Sequence, residues 1–506
     1  MARGCNRIHS YSLRLVIWQL IFEPFCSEVL SRGPPFQWIA LKCRLSALTI
    51  ADGEANLQRS SRNEINMWKK FQRTQILILV VGGWLAAFGS GPLLADPGWT
   101  AFQNGGQLKF ASLPDAWDAD GKNIAWKIAI DGYGQSSPVV FGDQVLLTFT
   151  SGPNKEQCHV AAYGLKDGSK RWQQSFANPT PEESNNYISR AAPTPVVDAR
   201  GAIVSFEGGL VIALSHDGKI RWQKNLVESY GPIKARHGLA ASLEQDSEHV
   251  FVWIEREGSP YVLALHKESG EVFWKTDGVG ATSWSSPRLI TVGGESQLVC
   301  SASGRVAAFD AKTGNKVWEF TDIANNTTCT PIPVGDGLFV IGASDGRGEQ
   351  PGGATAPSSG LLEIRSIDGK FQVGYKWRAD KATCSFGSPI VAGNKVWLVN
   401  RSGVLYQLDL ESGKQISAER VAAGSVWATP IATDQRLYLF GKGGVTSIVD
   451  LANASEIATC TTWEQAAETA ANPMGGAVLY AAVTDGDTLL IRRGDALYAI
   501  RQSGRQ

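Results

Sequence analysis

Methionine is scarce, at 3 of 506 residues, and opposite charges cancel, with 48 Lys+Arg against 48 Asp+Glu. A chain with no net field has no general attraction for nucleic acid or an anionic membrane, so no nucleic-acid partner is expected. Among the 8 cysteines no two are adjacent and none form Cys-x-x-Cys, which argues against a zinc site or a dense disulfide framework. Cys158, Cys300, Cys329, Cys384 and Cys460 are expected to be small buried hydrophobes in strands. One disulfide stays open as an alternative, with no pair identifiable. Long apolar runs are missing too: the stretch Ile76 to Phe88 is shorter than the roughly 20 residues a bilayer crossing takes.

What is plentiful is glycine, at 54, and tryptophan, at 17. Many tight turns with repeated aromatic anchors point to short antiparallel strands, hence an all-β core. The N-terminal part differs. Met67-Trp68-Lys69-Lys70-Phe71-Gln72-Arg73 forms a basic flank before Ile76 to Phe88, and small residues follow, the pattern of an export signal. Residues 67–95 are therefore expected to be a signal peptide, cut after Ala95 or Gly89, or kept as a membrane anchor. Residues 1–66 read as a mis-called or disordered extension before a true initiator at Met67. Residues 96–123 form a lead-in, and 124–501 the folded domain. After cleavage no integral membrane domain is expected.

Internal periodicity decides the architecture. Asp310-Ala311-Lys312-Thr313-Gly314 is followed by a strand bearing Trp318, and the same frame leads to Trp172, Trp222 and Trp274, with weaker copies before Trp377 and at Asp409-Leu410-Glu411-Ser412-Gly413. The Asp or Ser side chain is expected to hold the turn while Gly takes a positive φ. The indole then docks between neighbouring units, and burying it is worth on the order of 4 to 6 kcal/mol at about 25 cal/mol/Å², an upper bound. The anchors Trp126, Trp172, Trp222, Trp274, Trp318 and Trp377 stand 46, 50, 52, 44 and 59 residues apart, and the longest interval holds the Gly-rich insertion 346–360.

Each unit opens on a small residue, Pro and a β-branched pair: Ser137-Pro138, Thr194-Pro195, Ser286-Pro287, Thr330-Pro331, Ser388-Pro389 and Thr429-Pro430, with a degenerate copy at Ala240-Ala241-Ser242. Proline donates no ladder hydrogen bond and so suits the first position of an innermost strand. The tail 475–500 supplies the inner strands of an eighth unit, and Ile124 to Ile130 supplies its outer strand. The expectation is an eight-bladed β-propeller closed by strands from both termini. Seven blades is the alternative.

These alternating signatures closely resemble the tryptophan-docking repeat of the pyrroloquinoline-quinone-like (PQQ-like) propeller superfamily, from Trp126 to Ile500, most specifically through blade six. Trp99-Thr100-Ala101-Phe102-Gln103 with Leu113-Pro114 also resembles the lead-in of secreted PQQ-like repeat proteins. The superfamily includes quinoprotein alcohol dehydrogenases and BamB-like envelope assembly factors. The first branch implies PQQ with Ca²⁺ or a lanthanide ion, a nearby carboxylate base and a disulfide between adjacent cysteines; adjacent cysteines are not found here. The second implies a lipid-anchored scaffold, yet no cysteine follows the apolar stretch to accept a lipid. The resemblance supports fold more than function.

Residues just before the Pro openings should face the central funnel: Tyr133, Tyr187 with Arg190, Arg236 with His237, Trp284, Asn326, Phe386 and Trp427. They either hold an aromatic, peptide or sugar-like ligand, or plug the funnel. Gly342-Ala343-Ser344-Asp345-Gly346 matches a nucleophile elbow in letters but follows a blade strand, so a turn is expected. Glu255 and Glu257 are expected on a solvated face. No catalytic residue, metal site or cofactor is assigned. The expectation is a monomeric, periplasmic or secreted scaffold that binds an envelope protein or extended peptide; a quinoprotein dehydrogenase and a carbohydrate-binding propeller are the alternatives.

Overall fold

A computed structural model describes residues 98–106, 112–183, 188–280, 284–344, 358–465 and 477–502. The chain separates into two units, Met1–Leu93 and Leu94–Gln506. The extension 1–66, the signal-like stretch 67–95, Tyr187 and residues 346–357 of the insertion lie outside the described residues.

Strands of the second unit form eight four-stranded antiparallel sheets. Blade 1 runs Val139–Phe141, Gln144–Ser151, Gln157–Gly164, Lys170–Ala177 from the axis outward. Blades 2 to 7 repeat this plan over 196–225, 244–277, 288–320, 332–378, 390–420 and 431–461. Blade 8 takes three strands from 479–500 and its outermost from Ile124–Ala129, which pairs with Ala496–Ile500. Eight blades closed by both termini is thus the observed architecture. Middle strands such as Leu210–Leu214 are buried along their whole length, whereas the outer strand Lys170–Ala177 alternates exposed and half-buried. The first pattern requires uniformly apolar residues, and the second keeps one face wet.

Eight hydrophobic clusters fill the eight junctions between blades. At five of them the repeat works as its sequence implies. Asp310 Oδ1 accepts from the amides of Lys312 and Thr313 at 3.0 and 2.8 Å, and Gly314 sits at φ 73°. A Cβ on Gly314 would stand 2.6 Å from the Trp274 ring of the preceding blade. The glycine is therefore required twice, by backbone and by neighbour. Trp126, Trp172, Trp222, Trp274 and Trp377 each donate Nε1–H to a carbonyl of the next blade's turn, at 2.8–3.0 Å.

Trp318 departs from this pattern. Its Nε1 donates to Gln297 Oε1 of its own blade at 2.6 Å, and its ring stacks on Phe339, an inner residue of blade 5. The blade 5 hairpin, Gly360–Ile367 and Lys370–Arg378, is longer than its counterparts and turns on Asp368 (φ 48°) and Gly369 (φ 74°), and Gly369 has no neighbour pressing on it. Two junctions lack an outer Trp altogether. Between blades 6 and 7, Ser417 stands opposite Gln407 where the anchor would be, and Trp397 from the second strand fills the gap against Leu451 and Ala454. Between blades 7 and 8, the lead-in supplies Leu113 and Trp117; Trp117 donates to Thr462 Oγ1 at 3.0 Å, and Asp115 pairs with Arg436 at 2.8 Å.

The Ser/Thr before each proline has a role beyond being small. The amide of Ser137 donates to Thr194 Oγ1, Thr194 to Ser242, Ser242 to Ser286, Ser286 to Thr330, Thr330 to Ser388 and Ser388 to Thr429, at 2.9–3.2 Å. These bonds make a belt around the axis through seven blades. Ser242 keeps its link although Leu243 replaces the proline. At the closing seam Arg492 of blade 8 is fully buried and donates to the carbonyls of Gly134 and Thr148 of blade 1 at 3.2–3.4 Å. Burial pulls its pKa down to about 10, because a guanidinium removed from water loses solvation that carbonyl dipoles replace only in part.

Candidate functional site

The lead-in segment Gly98–Gly106 crosses one end of the axis. Val140 donates to Trp99 O and Val197 to Thr100 O, at 2.8 and 2.9 Å. Arg288, paired with Glu244 at 3.2 Å, donates to Phe102 O and Gln103 Oε1 at 3.2 and 3.0 Å. Gln103 Nε2 reaches Ser388 Oγ and Thr429 Oγ1 at 2.8 and 2.9 Å, at the open end of the belt. Gln103 and Asn104 hold left-handed backbone, φ 53° and 49°. Such strain persists only where surroundings over-determine it, here through side-chain bonds to several blades.

At the other end the residues picked from sequence meet. Starting at blade 3, His237 lies 5.4 Å from Trp284, Trp284 5.6 Å from Phe386, Phe386 4.7 Å from Trp427, Trp427 6.3 Å from Tyr480, and Tyr480 6.0 Å from Tyr133, measured between ring centroids. Arg190 stacks over Tyr133 at 4.7 Å and Ser189 N donates to His237 O, so the collar closes on itself. Burial, together with the 2.8 Å hydroxyl hydrogen bond it shares with Tyr480, pushes the Tyr133 pKa well above its ordinary range. Arg401 covers Phe386 at 5.5 Å and Lys442 covers Trp427 at 5.6 Å. Burial lowers the Lys442 pKa.

One of the predicted funnel residues stands elsewhere. Asn326 is fully buried: its Nδ2 donates to Ser301 Oγ, Ala302 O and Arg305 O, and its Oδ1 accepts from Gly304 N, so it ties a turn and takes no part in the collar. Arg236 is exposed beside His237. Glu255 is another correction: it is 1% exposed and lies against Gly280, whereas Glu257 is solvated. Ser344 continues the blade, bridging to Cys384 and donating its amide to Asn325 O.

Sequence reasoning missed Tyr480, because unit eight has no Pro opening to mark it. It also missed Ser151 and His159, whose Oγ and Nε2 are 2.7 Å apart. That ring's Nδ1 meets Ser175 Oγ at 2.8 Å, so the imidazole links three strands of blade 1 without a carboxylate to fix its tautomer.

Between collar and lead-in lies a chamber of about 490 Å³, lined by Trp99, Phe102, Trp284, Phe386, Trp427 and Tyr480 at its ends and by inner-strand residues along its length. None of its lining residues is Asp, Glu, Lys or Arg. The nearby buried carboxylates are engaged: Glu244 with Arg288, and Glu207 with Lys155 at 3.5 Å. Among the described residues no group of three or more His, Cys, Asp or Glu could hold a metal ion. A quinone with its calcium needs hard oxygen ligands, and the lining residues do not fit that group.

A family model described as outer membrane protein assembly factor BamB matches residues 91–235 and 234–459. Outer membrane protein assembly factor BamB of Yersinia pestis is 24% identical over 294 residues, covering 56% of this chain and 63% of that protein. The same factor of Shewanella oneidensis is 22% identical over 299 residues, covering 58% and 66%. The chain thus spans less than two thirds of the length of these curated relatives. Among solved structures, BamB from Moraxella catarrhalis superposes with TM-score 0.52 at 14% identity, over 75% of this chain and 99% of that one. Quinohemoprotein alcohol dehydrogenase from Comamonas testosteroni gives 0.51 at 11%, over 81% of each. Likeness at such identities is likeness of fold.

Proposed function

This chain belongs to the family of outer membrane protein assembly factor BamB, and from that premise we propose that it is an envelope scaffold that binds another protein and performs no chemistry of its own. The observation that carries the reading is the family match across lead-in and blades, residues 91–459. Its place of work is the periplasmic side of the envelope, as a monomer, with a component or client of outer-membrane protein assembly as partner. The outer strand of every blade has an unpaired edge that an extended segment can extend. Ile220, Val272 and Phe273, at 50%, 38% and 41% exposure on the outer strands of neighbouring blades 2 and 3, offer apolar contacts beside two such edges.

The alternatives have less support. A quinone would meet a chamber without charged groups. A carbohydrate would seek a flat aromatic platform, whereas Tyr133 and Tyr480 meet at 83° and Trp284 and Phe386 at 70°. The deciding experiment removes the chain from its host and measures folded, heat-modifiable outer-membrane β-barrel protein. The expected result is a fall restored by the wild-type chain; unchanged barrel levels, or alcohol-dependent dye reduction by protein loaded with PQQ and Ca²⁺, would overturn the reading.

A further inference from the structure

We propose that Cys329 and Cys384 are the two halves of a disulfide that ties the opening of blade 5 to the opening of blade 6. Both are free thiols in the structure and fully buried. They share one hydrophobic cluster, whereas Cys158, Cys300 and Cys460 lie in three different ones. Gly342, just after the strand Leu338–Ile341, shows how near they come: a Cβ built on it would stand 2.6 Å from the Cys384 sulfur and 2.7 Å from the Cys329 sulfur. Two atoms within 2.7 Å of one point are separated by no more than twice that distance. A disulfide brings its sulfurs to about 2.05 Å, and rotation about the two Cα–Cβ bonds can close the remaining gap. Gly342 does not hold left-handed backbone, so its bare α-carbon is required by its neighbours, the two sulfurs and Pro389, and not by its conformation.

The backbones on either side are already joined. Thr328 Oγ1 donates to Ser385 O at 3.1 Å, and Thr330 N donates to Ser388 Oγ at 3.0 Å. Cys384 N donates to Ala343 O at 2.8 Å, which holds it against the segment that carries Gly342. The contacts open to the Cys329 thiol are weak, 3.7 Å to Gly387 O and 3.6 Å to Thr328 Oγ1, so little is lost with its proton. All four strands of blade 5 lie between the two cysteines, together with the insertion that lengthens this repeat. The cross-link therefore encloses one whole blade, and closing so long a loop removes more freedom from the unfolded chain than closing a short one. Oxidation takes one electron and one proton from each thiol as the S–S bond forms. A disulfide oxidant such as oxidised glutathione accepts both electrons and both protons, its own S–S bond breaking to leave two thiols. Full burial keeps such an oxidant out of the folded blade, so the bond forms while the chain folds. In the cell this takes an oxidising compartment, which the periplasmic reading above supplies.

The test refolds the full chain once with reduced and oxidised glutathione and once with dithiothreitol, blocks the remaining thiols with iodoacetamide in denaturant, and maps tryptic peptides without reduction. The oxidised chain is expected to yield peptides 317–347 and 382–395 joined through Cys329 and Cys384, a species that disappears on reduction. Its thermal midpoint is expected to lie on the order of 5 °C above that of the chain refolded in dithiothreitol. In Cys384→Ala the two preparations should melt together. Comparing preparations within one variant separates loss of the cross-link from any general cost of the substitution. Recovery of peptide 382–395 only in alkylated form, its linkage to another cysteine, or an oxidised chain that melts with the reduced one would overturn the proposal. Refolding needs no envelope, so its failure leaves the assembly reading standing, and unchanged barrel levels in the host leave the cross-link standing.

Discussion

The junctions from blade 8 round to blade 4, and the junction of blades 5 and 6, are closed by an outer-strand indole over a turn glycine; those of blades 4/5, 6/7 and 7/8 are closed by other means. Both kinds are equally filled. Trp274 is 8% exposed and Trp318 7%, while Trp397 in the substitute junction is fully buried. What the ring demands is therefore volume at each outer gap, and the recurrent motif is one way to deliver it. Where another residue delivers it, the motif decays. The turn of blade 7 shows this: Ala454 holds φ 62°, a conformation for which glycine is preferred, because Ser417 of blade 6 puts no ring against it.

If the two kinds are equivalent, deleting either filler should cost alike. Trp274→Ala and Trp397→Ala are each expected to lose about 3–5 kcal/mol by removing a large buried aromatic without local collapse. Denaturant midpoints followed by far-UV circular dichroism measure this. A Trp397→Ala variant within about 1 kcal/mol of wild type in the denaturant midpoint would show that the substitute is ornamental. Trp117→Ala tests the third arrangement at about 3 kcal/mol, and should also expose the lead-in to proteolysis, since it removes the Thr462 contact.

A smaller effect separates the kinds. Gly270→Ala forces a Cβ to within 2.6 Å of Trp222 at φ 72° and is expected to cost about 1–3 kcal/mol. Ala454→Gly, at the corresponding turn, should be neutral or stabilising by up to about 1 kcal/mol, because no ring is displaced and left-handed strain is relieved. A gain from Ala454→Gly as large as the loss from Gly270→Ala would mean that the turn alone, and not its neighbour, selects glycine. Thermal melts of the two variants decide it.

The same contrast explains what was legible in the chain. Strand order, blade count and closure followed from motifs repeated within one blade length. Trp397 and Trp117 carried no such mark: the first sits on a second strand, and the second meets a residue 345 positions away. The collar was legible through its position before each Pro opening, which found Tyr133, Arg190, His237, Trp284, Phe386 and Trp427. That rule failed for Asn326, whose amide can satisfy four local partners at once and so turns inward. It could not find Tyr480 without a proline. The Ser/Thr belt was hidden in plain view, since a hydroxyl chosen to accept an amide reads in a sequence as a small residue.

The smallest expected effect distinguishes the turns themselves. Asp409 in blade 6 is held below its ordinary pKa by the hydroxyl and amide of Ser412, at 2.6 and 2.8 Å. The blade 3 turn has no such carboxylate; there Ser269 Oγ accepts from the Glu271 amide at 3.2 Å. A depressed carboxylate pKa means that the folded state binds protons less readily than the unfolded one, so its contribution is present above the unfolded value and lost as pH falls through the folded value. Acid should therefore loosen the blade 6 turn before the blade 3 turn, in the range below about pH 4. Amide hydrogen exchange of Ser412 and Glu271 reads the two turns in one sample. Asp409→Asn should abolish the difference in pH dependence while keeping an acceptor in place, and a Ser412 amide that stays pH-sensitive in that variant would assign the acid response to another group.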